Sequence, residues 1–141
     1  MIIRTPVDGD AATIATLLGQ LGYPSTPQQV TTQLQALRRD EPASVMWVAE
    51  LDGAVVGVAT AREFAGLHIA EPVAWLTVLV VDERVRGRGV GRRLVTEAEA
   101  WARARGAKRL SLTSAVHRKE AHQFYINLGY QQTGVRLAKM F

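Results

Sequence analysis

Three glycines alternate with other residues in the polar loop that follows an apolar stretch, at positions 87, 89 and 91. Glycine has no Cβ, so a ligand can approach the backbone closely at such positions. A helical pattern begins at the last of them, and the N-terminus of a helix offers unpaired N–H groups and the positive end of its dipole to an anion. Neighbouring arginines can add charge-assisted hydrogen bonds. The spacing therefore predicts a site for a diphosphate.

Two familiar nucleotide-binding motifs do not fit this turn. The dinucleotide fingerprint Gly-x-Gly-x-x-Gly, begun at Gly87, needs its third glycine at position 92, where the chain has Arg92. It also needs an acidic residue about 20 residues on, where the chain has Lys108 and Arg109. A P-loop needs Gly-Lys followed by Ser or Thr, whereas Gly91 is followed by two arginines. The spacing alone leaves open a third interpretation, in which the glycines only make a tight turn.

The turn lies in the most basic part of a chain whose formal charge is +4. Nine Lys and Arg residues lie between positions 84 and 109, opposed there only by Glu97 and Glu99. Such a block indicates either one anionic partner at one place or a solvated helix face. We expect no nucleic-acid partner, because that alternative rests on charge alone and no recognised binding motif accompanies the block.

The elements that position the turn follow from the period of the apolar residues. Spacings of three and four predict four helices, which end near Gly22, Asp40, Gly106 and Gly129. Asp52-Gly53 predicts the tight turn of a β-hairpin. The almost continuous apolar run from Val73 to Val81 predicts a strand buried on both faces at the centre of a sheet.

Shorter segments complete the predicted order. Residues 2–4 and Leu110 to Thr113 predict short strands, residues 62–72 predict a loop, and the final segment from Tyr130 to Phe141 predicts one or two strands. The order β, α, α, β, β, β, α, β, α, β indicates an α+β fold in three α/β/α layers, with a mixed sheet between the helices.

Length and composition set the class of protein. A chain of 141 residues predicts a single domain over 1–141. The lack of cysteine excludes disulfides, thiolate–zinc sites and cysteine nucleophiles. No apolar run reaches the ~20 residues of a membrane span, and the first residues resemble no export signal. We therefore expect a soluble, cytoplasmic protein without a membrane partner.

Two blocks of sequence carry a resemblance to a known family. The stretch from Arg86 to Gly91, placed after an apolar strand end and before an amphipathic helix, resembles the Arg/Gln-x-x-Gly-x-Gly signature of the GNAT superfamily of acyl-CoA-dependent N-acetyltransferases. Further on, the stretch from Ala121 to Tyr130 resembles that superfamily's Ala-x-x-Phe-Tyr-x-x-x-Gly-Phe/Tyr block. The order of elements over the whole chain is also the order that this superfamily uses.

The resemblance implies a cofactor and its position. Acetyl-CoA would be the cosubstrate. The sheet would be mostly antiparallel, with a central pair of parallel strands that splay apart. Its pantetheine arm would pair with the backbone of three strand residues, Leu79, Val80 and Val81. Its pyrophosphate would lie on the amides of the glycine-rich turn, which are those of Arg86, Gly87, Arg88, Gly89, Val90 and Gly91, and would extend to Arg92.

The resemblance also implies the chemistry. An amine would attack the thioester directly in a ternary complex, and Tyr125 corresponds to the family's general acid, which protonates the CoA thiolate. Alternatively, Tyr125 would be a core residue on the apolar stripe of its helix. A backbone N–H of Val80 or Val81 would stabilise the oxyanion. Many relatives carry Asn seven residues before the tyrosine, where this chain has Arg118.

The sequence leaves several alternatives for the base, the acceptor and the partners. Glu71 is our candidate for the base that removes the ammonium proton, with Glu63, His68 and water as alternatives. The three histidines lie at no metal-ligand spacing, so we expect no metal. The acceptor would be a primary amine of a small molecule or a peptide, and a homodimer could form through an edge strand. A non-catalytic acyl-CoA-binding or regulatory domain is the alternative function.

Overall fold

The computed structural model describes residues 1–141 and divides them into two compact units, Met1–Ser111 and Leu112–Phe141. The first unit contains, in chain order, β1 (Ile2–Arg4), α1 (Ala11–Leu21), α2 (Pro27–Arg39), β2 (Ser44–Leu51), β3 (Ala54–Gly66), β4 (Ile69–Val81), α3 (Val90–Ala104) and β5 (Leu110–Ser111). The second unit contains α4 (Lys119–Asn127). The single domain over 1–141 stays a prediction.

One sheet organises the first unit, with the strands in the order β1-β2-β3-β4-β5. Neighbouring strands are antiparallel except β4 and β5, which are parallel. This is the mixed, mostly antiparallel sheet that the resemblance implied. The parallel pair is short: Ala74 lies opposite Leu110, Trp75 lies opposite Ser111, and the ladder ends there.

The helices of the first unit cover both faces of the sheet. Side chains of α1 and α2 form one core with Met46, Val48, Val58 and Val80. The next residue along β3, Gly57, points to the other face, where a Cβ would lie 3.0 Å from Leu94 Cδ1 of α3. Successive strand residues face opposite sides, so the two contacts place α1 and α2 on one face and α3 on the other. The predicted three-layer α+β arrangement is confirmed.

Local chemistry explains where the helices begin and end. The Thr26 side chain accepts a hydrogen bond from the backbone N–H of Gln29, whose own side chain accepts one from Thr26 N–H, and Pro27 occupies the first helical position of α2. This capping box satisfies backbone donors that the helix itself leaves unpaired. Gly22 ends α1 in the left-handed conformation, with φ of 103°. The predicted ends of these helices are confirmed to within a few residues.

Residues 62–72 do not form the predicted loop. They belong mostly to β3 and β4, which form one long hairpin that turns at residues 67 and 68. The prediction was wrong because the segment lacks a clean apolar alternation, while pairing of Arg62 with Trp75 and of Phe64 with Val73 holds it extended.

Two further strand predictions were wrong: one strand lies at a different place in the sheet, and another does not form. The strand that ends at Val81 is not central but second from the edge, and Thr77 within it is exposed. β3 occupies the centre instead, and its residues Val58 and Ala59 are buried on successive, opposite faces. The segment from Tyr130 to Phe141 forms no strand, although its residue types favour one.

Candidate functional site

The C-terminal half of β4 has one free edge in the first unit. On one side, β3 pairs with β4 as far as Val81. On the other side, β5 pairs only with Ala74 and Trp75, so no strand pairs with residues 76–81 there. These residues include the predicted pantetheine positions Leu79, Val80 and Val81. An unpaired strand edge presents N–H and C=O groups that an extended, amide-containing ligand can pair with.

A β-bulge lies where this free edge begins. Thr60 of β3 lies opposite Val78 and Ala61 lies opposite Leu76, so Thr77 is the extra residue of β4. A bulge bends its strand and increases the local twist. The Thr77 hydroxyl shares a hydrogen bond of 2.6 Å with the hydroxyl of Thr60, and both side chains stand on the exposed part of this hairpin. The bulge thus places Thr77, an exposed residue of β4, where the free edge begins.

The glycine-rich turn joins β4 to α3 as the sequence predicts. Gly87 and Gly89 have φ values of 82° and 83°, in the left-handed region that disfavours residues with a Cβ. Gly89 is also the N-cap of α3, and no side chain caps that helix. The first N–H groups of α3, from Val90, Gly91 and Arg92, therefore lack an intrahelical acceptor. This arrangement suits an anion, because the unpaired donors coincide with the positive end of a helix of 15 residues.

Asp82 anchors the start of this turn, and the sequence reasoning missed it. Its carboxylate accepts hydrogen bonds from Arg84 N–H at 3.0 Å and from Arg84 Nη2 at 2.6 Å. Its own N–H donates to Val56 O at 2.8 Å. The Arg84 side chain and backbone hold the pKa of the Asp82 carboxyl well below its usual range. The signal available in the sequence was an acidic residue directly after an apolar strand.

Two more contacts fix the turn against the sheet and α1. The Gln20 side-chain carbonyl accepts a hydrogen bond from Glu83 N–H at 2.9 Å. Arg86 Nε donates to Val81 O at 3.2 Å, so that side chain folds back on the strand end. The turn is thereby held from three sides before any ligand binds, and a preorganised site loses less conformational entropy on binding.

The basic block divides into paired and unpaired arginines. Arg84 is paired with Asp82, and Arg105 is paired with Glu63. The arginines nearest the helix start, Arg88, Arg92 and Arg93, are exposed and form no ion pair. The charge that is left for an anion therefore lies at the N-terminus of α3.

The three candidate bases gather at the other end of the β3–β4 hairpin. Glu71 lies eight residues before Leu79 in β4, a separation of roughly 26 Å at the rise of an extended strand. His68 is exposed at the hairpin turn, and Glu63 is paired with Arg105. The structure thus does not bring Glu71 or His68 to residues 79–81 or to the glycine-rich turn, and Arg105 engages Glu63, which lies opposite Ala74. No cluster of three His, Cys, Asp or Glu side chains that could hold a metal ion occurs in residues 1–141.

Tyr125 lies in the second unit, on α4. Its ring packs edge-to-face against Phe124 at 5.1 Å and against Tyr130 at 5.7 Å between ring centroids. Burial raises the pKa of the Tyr125 hydroxyl to about 12, while the charge of Arg118 acts in the opposite direction. The hydroxyl is therefore protonated at neutral pH. Arg118, where the family pattern often has Asn, precedes α4 and acts electrostatically on this phenol.

Comparison with known proteins decides the family. A model of the acetyltransferase (GNAT) family matches residues 15–130. The chain belongs to the GNAT family. The match includes the glycine-rich turn and extends to the end of the second motif, so the predicted family is confirmed.

Relatives of this GNAT chain are named for different acetyl acceptors or acetylated products. An aminoglycoside N(6')-acetyltransferase type 1 of Stenotrophomonas maltophilia is 31% identical over 135 residues, which are 93% of this chain and 86% of that protein. An aminoalkylphosphonate N-acetyltransferase of Salmonella typhimurium is 35% identical over 88 residues, 62% of this chain and 57% of that protein. The human N-acetylaspartate synthetase is 32% identical over 93 residues, 66% of this chain and only 30% of that protein.

Solved structures share the fold. A transcriptional regulator from Bacillus halodurans C-125 has a TM-score of 0.88 at 23% identity and covers 99% of both chains. Glucosamine-6-phosphate N-acetyltransferase from Arabidopsis thaliana has a TM-score of 0.85 at 22% identity, over 99% of this chain and 97% of that one. An aminoglycoside N-acetyltransferase in complex with CoA has a TM-score of 0.85 at 17% identity, over 99% of this chain and 93% of that one. None of the helices has the combination of length and apolar character that a membrane span requires.

Proposed function

We propose that the protein transfers an acetyl group from acetyl-CoA to a primary amine. The observation that carries the proposal is the uncapped N-terminus of α3 behind a turn with two left-handed glycines, next to a free strand edge. Family membership supports it, as does the fold shared with an acetyltransferase in complex with CoA.

The diphosphate, the pantetheine arm and the thioester of the cofactor each have a matching group in the first unit. The diphosphate would accept hydrogen bonds from the N–H groups of residues 86–92, and Arg88, Arg92 and Arg93 would add charge. The pantetheine amides would pair with residues 79–81, like one more strand beside β4. An N–H of Val80 or Val81 would then donate to the oxyanion that forms when the amine attacks the thioester carbonyl.

We assign Tyr125 as the proton donor to the departing thiolate, on its match to the family's tyrosine and its protonated state. The pKa of a free thiol is ~8.5, so a phenol with a pKa of about 12 does not give up its proton to a finished thiolate favourably. Proton transfer would therefore accompany cleavage of the C–S bond. The charge of Arg118 would favour it, because that charge stabilises the phenolate.

The candidate base in the first unit that lies nearest the free edge is Glu63, opposite Ala74, and it is paired with Arg105. Glu71 stays the base candidate in sequence alone, and its distance along β4 argues for loss of the ammonium proton to water before the amine attacks. The Thr60 and Thr77 hydroxyls beside the bulge would hold the neutral amine. Neutral hydroxyls favour a small acceptor or a peptide amine over a polycation, which clustered carboxylates would recognise.

The test is release of CoA thiol from acetyl-CoA in the presence of a panel of primary amines. The panel spans an aminoalkylphosphonate, an aminoglycoside, an amino acid, a polyamine and a peptide. The proposal expects amine-dependent release with one acetylated amine per thiol. Tight binding of acetyl-CoA without release for any amine would support the other candidate, a non-catalytic acyl-CoA-binding domain. Absence of acetyl-CoA binding would contradict both.

A further inference from the structure

Gly57 of β3 lies where the end of β4 and the glycine-rich turn meet. In the ladder between β3 and β4 it is directly opposite Val81, the last residue of β4. The carbonyl of the residue before it, Val56, accepts a hydrogen bond at 2.8 Å from the N–H of Asp82, with which the turn begins. One short stretch of β3 therefore holds both the strand end and the start of the turn.

The first turns of α3 pack on the same glycine. A Cβ at Gly57 would lie 3.0 Å from Leu94 Cδ1, 3.1 Å from Val90 Cγ1 and 3.4 Å from Val80 O. Carbon atoms in contact ordinarily stay about 3.5–4.0 Å apart, so a Cβ would need roughly half an ångström more room. The N-terminal end of α3 thus approaches the backbone of β3 as closely as only a glycine allows.

The side chains above Gly57 have little freedom to yield that room. Val90 and Leu94 are 1% and 0% exposed, so both lie in a closely packed interior. Val90 is also β-branched, which leaves it one strongly preferred χ1 rotamer in a helix. The next two residues of β3 on this face, Ala59 and Ala61, already carry a Cβ and are buried as well. A Cβ at Gly57 would therefore displace the start of α3 rather than a single side chain.

We propose that Gly57 is a positioning residue for acetyl-CoA, because it sets the separation between the strand edge at residues 79–81 and the amides of residues 86–92. This inference rests on the proposed function, in which the pantetheine arm occupies the strand edge and the diphosphate occupies the amides. Hydrogen bonds weaken steeply when their geometry is distorted. A ligand that spans both places is therefore sensitive to their separation, whereas a ligand that occupies only the strand edge is not.

The test compares acetyl-CoA with S-acetylpantetheine, the thioester that lacks the diphosphate, by isothermal titration calorimetry. Gly57→Ala should weaken the binding of acetyl-CoA by about fivefold or more and that of S-acetylpantetheine by less than about twofold. In steady-state kinetics the KM for acetyl-CoA should rise in proportion. The kcat should stay within about twofold of the wild type, because the reacting carbonyl remains at the strand edge.

Two further variants separate positioning from a general loss of packing. Ala61→Val adds carbon atoms to the same face of β3, ~13 Å further along the strand, and should bind both thioesters like the wild type. Val90→Ile crowds the contact with Gly57 from the helix side and keeps the backbone N–H, so it should reproduce the selective loss. Thermal unfolding shows which variants fold, and Val90→Ile takes the place of Gly57→Ala if that protein does not.

The outcomes distinguish this inference from the proposed function. Wild-type affinity for acetyl-CoA in Gly57→Ala, or an equal loss for both thioesters, would overturn the role of Gly57 and leave the proposed function standing. The same selective loss in Ala61→Val would overturn it too, since the effect would then not belong to the start of α3. A wild-type protein that binds neither thioester would overturn both proposals.

Discussion

At the level of single residues, some side chains hold the glycine-rich turn in place and others are proposed to react. Asp82, Gln20 and Arg86 form the contacts that hold the turn, and each does so through a backbone group that a sequence motif does not reveal. The tight turn could be predicted from its glycines, because glycine adopts the left-handed conformation without a steric penalty. The polar anchors were not, since acidic and amide side chains near a turn are common for many reasons.

Tyr125→Phe should lower kcat about a hundredfold or more and leave the KM for acetyl-CoA within about twofold, because the change removes a proton donor and keeps the ring packing. Steady-state kinetics with the best amine of the panel would measure this split. Tyr130→Phe removes a hydroxyl from the adjacent ring and serves as the control. An unchanged kcat in Tyr125→Phe would remove the assignment.

The pH dependence of kcat/KM for the amine reports how the acceptor loses its proton. If water takes it, kcat/KM should rise about tenfold per pH unit up to the pKa of the amine, near ~10.4 for an alkyl amine. Tyr125 should impose no falling limb below pH 11, because its pKa is about 12. A plateau that begins near pH ~4 or near pH ~6.5 would instead indicate a carboxylate or a histidine base.

Among the elements, helices were predicted well and strands less well. Apolar residues repeat at helical spacing on each helix, and every helix packs that stripe or ends at a glycine, so local sequence determines their limits. Strand pairing depends on distant partners. The β3–β4 hairpin extends through residues 62–72 because the two strands pair with each other there. The sequence of either strand alone does not indicate this pairing. The segment 131–141 is the converse: its residue types favour a strand, and it forms none.

Gly89→Ala should weaken acetyl-CoA binding about tenfold. Its φ of 83° is strained for alanine by about 1–2 kcal/mol, and relief of that strain would rotate the first N–H groups of α3 away from the diphosphate. Isothermal titration calorimetry would measure the affinity. Gly19→Ala is the matched control, because Gly19 is helical, exposed and surrounded by open space, and it should bind like the wild type. Equal affinities of the two variants would contradict a role for the turn.

At the scale of the whole molecule, the charge of +4 has a definite distribution. Carboxylates neutralise the basic side chains at the strand ends, as Arg4 shows with Asp10 and Glu50. The unpaired arginines that concern the site remain at the N-terminus of α3. The excess of positive charge therefore fits an anionic cosubstrate better than an extended nucleic-acid surface, which would need a basic face beyond one turn.

Stability should fall on acidification through the pairing of Asp82. The folded-state pKa of this carboxyl is depressed, so its contribution is present above the unfolded value of ~3.9 and is lost as the pH falls below it. Asp82→Asn should lower Tm at pH 7, and the difference from the wild type should shrink toward pH 2.5. Asp52→Asn, in the exposed β2–β3 turn, is the control. A difference in Tm that is independent of pH would contradict this account.

The central claim is that the N-terminus of α3 binds the diphosphate of acetyl-CoA. The most direct measurement is a titration of ¹⁵N-labelled protein with acetyl-CoA, followed through the backbone amide resonances, with S-acetylpantetheine as the ligand that lacks the diphosphate. We expect acetyl-CoA to shift the amides of residues 86–92 most strongly and S-acetylpantetheine to shift only those of residues 79–81. Large shifts elsewhere with residues 86–92 unmoved, or identical shifts with the two ligands, would contradict the claim.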